Sequence, residues 1–113
     1  MISRHELGSL LLNWHGSQYD PTYAVGSFYI DNNVYPNKDV VEECIASLEL
    51  DVSKYRRIQK GERVFAYTAH GSTDDLKTWA GYSDEELVDC IEELTVIVGS
   101  LREYLVEDYT SLH

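Results

Sequence analysis

From Ser83 to Leu112 the chain places apolar residues at Leu87, Ile91, Leu94, Val98, Leu101 and Leu105. The steps alternate between four and three residues, so all six fall on one side of an α-helix of about 3.6 residues per turn. A helix of this length buries one side and leaves the other in water, which constrains how the rest of the chain can pack. Ser83 and Glu86 read as a capping box that starts the helix, because each side chain can satisfy a backbone N–H left without an intrahelical acceptor. A second row, Cys90, Leu94, Ile97, Leu101 and Tyr104, widens the seam into the stripe of a core-facing helix. A strict repeat of about 3.5 residues would instead leave one edge for a second copy of the chain. Gly99 weakens the helix but permits close approach.

The segments before it read as shorter elements. Ser3 to Trp14 is a helix with its own capping box, Ser3 and Glu6, and with Ile2 placed to staple onto Leu7. Leu7, Leu10, Leu11 and Trp14 form its apolar face, and Gly16 is a stop. Asp20-Pro21 opens a second helix over Thr22 to Ile30, where the small residues Ala24, Gly26 and Ser27 invite close packing. Asn32-Asn33 and Tyr35-Pro36 mark a loop. Asn37 caps a third helix to about Leu50, with Val40, Val41, Cys44, Ile45 and Leu48 on its buried face. Tyr55–Ile58 and Arg63–Thr68 then read as two strands of a hairpin turning at Gly61. The competing reading puts Val52, Tyr55 and Ile58 on a short helix. Ser72 caps another short helix through Leu76 and Trp79, ended by Gly81. The expected fold is mainly α (α+β): a small single domain over residues 1–113. It is a helical bundle of four to five helices with one β-hairpin and a long C-terminal helix.

Charge narrows the function. Twenty acids face nine bases, for a formal net charge of −11. Such a field repels nucleic acid and anionic lipid and favours a basic protein partner. No apolar run approaches the roughly 20 residues of a membrane span. Met1–Glu6 lacks the basic-then-apolar pattern of a signal peptide, so a cytoplasmic protein is expected. Cys44 and Cys90 read as reduced, buried thiols. Nine tyrosines against two phenylalanines supply bulk with a polar tip, which suits contact surfaces.

No enzyme and no cofactor is expected. His5, His15, His70 and His113 are scattered, and the two cysteines lack paired spacing, so no metal site is expected. The glycines are isolated, which excludes a phosphate-cradling loop of the glycine-rich type. Ser17, His15 and Asp20 sit too close in sequence for a nucleophile, base and orienter.

Two candidate sites remain. Trp14, His15, Gln18, Tyr19 and Asp20 gather aromatic and polar groups at a helix junction that could hold a small ligand. The plainer reading makes Trp14 a core anchor, Asp20 a cap and His15 a corner residue. Glu85, Asp89, Glu92, Glu93 and Glu103, with Glu107, lie away from the apolar seam as a carboxylate ridge for a basic protein partner, against the plainer reading of a solvated helix face. Lys54, Arg56, Arg57, Lys60 and Arg63 gather more than half of the bases on the expected hairpin. The function expected is that of a small acidic regulatory or inhibitory protein acting by contact. One form of it is a viral or mobile-element factor that blocks a host nucleic-acid-handling or defence protein. A homodimer through the C-terminal helix and a small-ligand pocket at Trp14–Asp20 are the alternatives.

Overall fold

The apolar seam of the C-terminal segment is a core stripe. In the computed structural model Leu87, Leu94, Ile97, Leu101 and Tyr104 are buried, with Cys90, Ile91, Val98 and Leu105 packed against them. The structure describes residues 2–14, 20–31, 37–62, 65–67, 73–75 and 83–110, with the backbone alone for 65–67, 73–75 and 109–110. These residues are mainly helical: α1 (Arg4–Trp14), α2 (Pro21–Asp31), α3 (Lys38–Gln59) and α4 (Asp84–Thr110). One apolar cluster draws on all four helices, with Leu7 and Leu11 from α1, Val25 and Tyr29 from α2, and Val41, Leu48 and Ile58 from α3.

The helix starts follow local chemistry. The Glu6 N–H donates to Ser3 Oγ at 3.1 Å. Asp20 Oδ1 accepts from the Thr22 N–H at 2.9 Å, and Asn37 Oδ1 from the Asp39 N–H at 2.8 Å. Both halves of the Ser83–Glu86 capping box form: Glu86 N–H to Ser83 Oγ at 3.2 Å, and Ser83 N–H to Glu86 Oε1 at 3.5 Å. Each satisfies a donor that the first helical turn leaves open.

The expected hairpin on Tyr55–Ile58 does not form. Those residues belong to α3, which runs past Leu50 to Gln59. Val52, Tyr55 and Ile58 continue the stripe of Val41, Cys44, Ile45 and Leu48 at helical steps, so burial favours one long helix over a strand. Gly61 is the residue that ends this helix. It sits at φ 91°, the Glu62 N–H donates to the Arg57 carbonyl at 3.1 Å, and its own N–H donates to the Ile58 carbonyl at 3.0 Å. That pair of bonds is a Schellman cap, which needs a left-handed residue and therefore favours glycine. The short strands β1 (Phe65–Tyr67) and β2 (Thr73–Asp75) pair antiparallel, with Ala66 opposite Asp74. Thr73–Asp75, expected as the first turn of a short helix capped by Ser72, thus form a strand, and the rest of that expected helix, with Leu76 and Trp79, lies outside the described residues.

Helices α1 and α2 cross where two glycines meet. A Cβ on Gly8 would stand 2.8 Å from the Gly26 carbonyl oxygen, and one on Gly26 would stand 3.1 Å from the Gly8 carbonyl oxygen. The small residue expected at Gly26 therefore has its counterpart in Gly8. Helices α3 and α4 pack antiparallel, since Glu49 pairs with Arg102 while Arg56 shares a groove with Thr95. Ring contacts tie the helices together: Trp14 meets Tyr55 edge-on at 6.4 Å, and Tyr29 meets Tyr104 at 6.0 Å.

Two titrating groups of α3, the buried Cys44 and the half-buried Asp51, are shifted from their ordinary values. The Cys44 Sγ–H points to Thr22 Oγ1 at 3.7 Å. Burial pushes the thiol up to about 11, against the smaller opposing effect of that hydrogen bond. Neither cysteine is in a disulfide, and Cys90 is only half-buried. A thiol-specific reagent at pH 7.5 is therefore expected to label Cys90 first and Cys44 only when urea opens the core, because the thiolate is the reacting form. Equal labelling rates in the native protein would contradict this.

Asp51 is raised above its ordinary carboxylate value, chiefly by burial, with Asp20 adding to the rise and Lys54 opposing it. Its folded form therefore holds a proton more tightly than its unfolded form. Stability contributed by that proton is present below the unfolded value and is lost as pH rises through the folded one. Asp51→Asn should raise the urea midpoint at neutral pH and flatten the weakly acidic part of the stability profile. A lower midpoint at pH 7 would show that the charged form is the one the fold favours.

Candidate functional site

The outer side of α4 is an exposed, mostly acidic surface. It is opposite Leu87, Leu94 and Leu101, which hold the helix to the core at 0 % exposure each. Because α4 is anchored along that line, the side chains a half-turn away must point to water. Glu85, Asp89, Glu92, Glu93 and Glu103 are all exposed. None of the five has an ion-pair partner among the described residues. Glu107 is also exposed, but Arg4 reaches it at 3.5 Å.

The face is not one continuous ridge. The acids form two banks, Asp84 to Glu93 and Glu103 to Glu107, separated by Thr95, Val96 and Gly99. Glu93 and Glu103 stand about 15 Å apart along the helix. The interval is open, since a Cβ on Gly99 would meet nothing within 4 Å. Val96 is 54 % exposed there, while Val88 and Val106, at 43 % and 60 %, lie within the two acidic banks. An apolar centre with a charged rim is the usual anatomy of a protein-contact surface. The sequence reading missed the valines. The signal was there for Val96, which falls opposite the seam, while Val88 and Val106 fall at its flank.

The helix junction is placed only in part. Asp20 is committed to the α2 N-terminus as its cap, and Trp14 lies half-buried against Tyr55. His15, Gln18 and Tyr19 lie outside the described residues. The basic stretch belongs to a helix and not to a hairpin: Lys54, Arg56 and Arg57 are in the last turns of α3, and Lys60 is its C-cap. Cations there complement the negative end of the helix dipole. Arg63 lies outside the described residues. No group of three or more His, Cys, Asp or Glu among the described residues could hold a metal ion, and no described helix is long and apolar enough to cross a membrane. Comparison with protein-family models, with curated proteins and with solved structures finds no match to this chain.

Proposed function

We propose that this protein acts by contact, as a small acidic regulatory or inhibitory protein of the cytoplasm. The outer face of α4 would occupy a basic surface of another protein. The observation that carries this is the set of five exposed carboxylates, Glu85, Asp89, Glu92, Glu93 and Glu103, that meet no cationic partner among the described residues and stand on either side of exposed Val96. Unpaired surface charge speeds encounter with an opposite field and sets orientation, while the apolar centre supplies area to desolvate. A rigid row of carboxylates can also stand in for a phosphate backbone, so a nucleic-acid-handling or defence protein of a host is the favoured class of partner. A viral or mobile-element source suits that role. A dimer built on the α4 seam is not part of this reading, because the seam residues lie in the core. Two copies of the outer face would repel each other.

The test is affinity capture from host lysate with three proteins: the native chain, a variant with Glu85, Asp89, Glu92 and Glu93 changed to Lys, and a control with the exposed Glu42 and Glu43 of α3 changed to Lys. The native chain and the control should hold a common partner through a moderate-salt wash, and the ridge variant should lose it. Equal capture by all three would remove the ridge from the function.

A further inference from the structure

A groove of about 370 Å³ runs between the C-terminal half of α3 and the middle of α4. Helix α3 lines it with Glu49, Val52, Ser53, Arg56, Arg57 and Lys60, and α4 adds Thr95 and Val98. The volume lies within the range of roughly 300–1,000 Å³ typical of small-molecule sites. Its chemistry is graded along its length. At one end Arg57 is answered by Glu62 at 3.5 Å. Arg56 and Lys60 meet no carboxylate within ion-pair distance among the described residues. In the middle Val52 and Val98 are half-buried and packed against the core, which gives an apolar floor. The Thr95 hydroxyl donates to the Ile91 carbonyl at 2.7 Å and keeps its lone pairs for an incoming donor. At the far end Glu49 is held by Arg102.

We propose that this groove binds a sugar phosphate, free or as part of a nucleotide. Arg56 and Lys60 take the phosphate, Val52 and Val98 lie under the ring, and Glu49 accepts from a hydroxyl. Two helical turns separate Glu49 from Arg56, about 10 Å along the axis, which suits a ligand of nucleoside monophosphate length. The dipole of α3 explains why cations gather at its C-terminus. It does not explain their convergence with an apolar floor and a hydroxyl acceptor. The net charge of the chain does not forbid an anion here. The groove lining itself carries three cations and one carboxylate, and exposed acids farther away are screened beyond about 8 Å at physiological salt.

The full chain, labelled with ¹⁵N, is titrated separately with adenosine 5′-monophosphate, glucose 6-phosphate and inorganic pyrophosphate. At least one of the two esters should shift the amides of residues 49–60 and 95–98 in a saturable way, with a Kd between about 10 μM and 1 mM. Which ester binds identifies the nucleotide or the simple sugar as the source. Arg56→Glu with Lys60→Glu, both at exposed positions, should weaken that binding at least tenfold and leave the core resonances in place. Pyrophosphate should bind at least tenfold more weakly than the better ester. The proposal fails if neither ester saturates by about 10 mM, if the double variant binds as well as the native chain, or if pyrophosphate matches the ester.

Discussion

Gly8→Val is expected to lower the unfolding free energy by about 3 kcal/mol, the upper part of the range for overpacking a tight contact. The first atom that a Cβ at position 8 meets is the Gly26 carbonyl oxygen at 2.8 Å, with Ile30 Cγ1 at 3.0 Å and Tyr29 Cβ at 3.1 Å behind it. A backbone oxygen cannot swing aside as a side chain can. The helices must separate, and Leu7, Leu11, Val25 and Tyr29 then lose contact with the common core. Glycine in mid-helix disfavours the native state by about 1 kcal/mol relative to alanine, and at position 8 a contact that needs the missing Cβ offsets that cost. Gly99 provides the opposite sign. It lies inside α4, is exposed, and a Cβ added there would have nothing within 4 Å, so Gly99→Ala should stabilise by about 0.5–1 kcal/mol. Urea denaturation of both variants reads the contrast. A Gly8→Val protein within about 1 kcal/mol of the native chain would mean that the crossing yields easily.

The same two glycines show where the sequence is legible. Gly26 stands among small residues on a helix with a clear Asp20-Pro21 start, so close packing at its position could be expected. Gly8 stands between Leu7 and Ser9 with no local sign of its partner, because the contact joins two helices and leaves no trace in either one alone. Helix starts and the α4 stripe were readable because caps and periodicity are local properties. The end of α3 was not. Lys60-Gly61-Glu62 suits a hairpin turn as well as a helix cap, and β-branched and aromatic residues around it suit either state. The deciding term was burial of Tyr55 and Ile58 beside Leu48, which is tertiary. At the candidate site the acids of α4 were readable as a face. Their division by Val96 and Gly99 follows from the same wheel once the buried side is known.

Arg4→Ala is expected to destabilise by about 3 kcal/mol, while Arg4→Met with Asp108→Leu should lose far less than the sum of the two single changes. Arg4 joins the start of α1 to the last turns of α4. Its guanidinium bonds the Asp108 carboxylate and lies 4.3 Å from the centroid of the Tyr104 ring. The Tyr104 hydroxyl in turn donates to the Ile2 carbonyl at 2.5 Å. The Asp108 side chain is 3 % exposed, so removing the arginine leaves a buried carboxylate without its counter-charge. The pair itself is a weaker source of stability than that loss implies. Asp108 Oδ2 is buried without a hydrogen-bond partner among the described residues, so part of the carboxylate's desolvation is not offset. Replacing both partners with apolar side chains removes that penalty along with the attraction, and the methionine can still cover the Tyr104 ring. A double-mutant cycle with Arg4→Met and Asp108→Leu as its single variants measures the coupling. A cycle that closes to within about 0.5 kcal/mol would show that the two charges stabilise independently and that the clamp between the ends of the chain lies elsewhere.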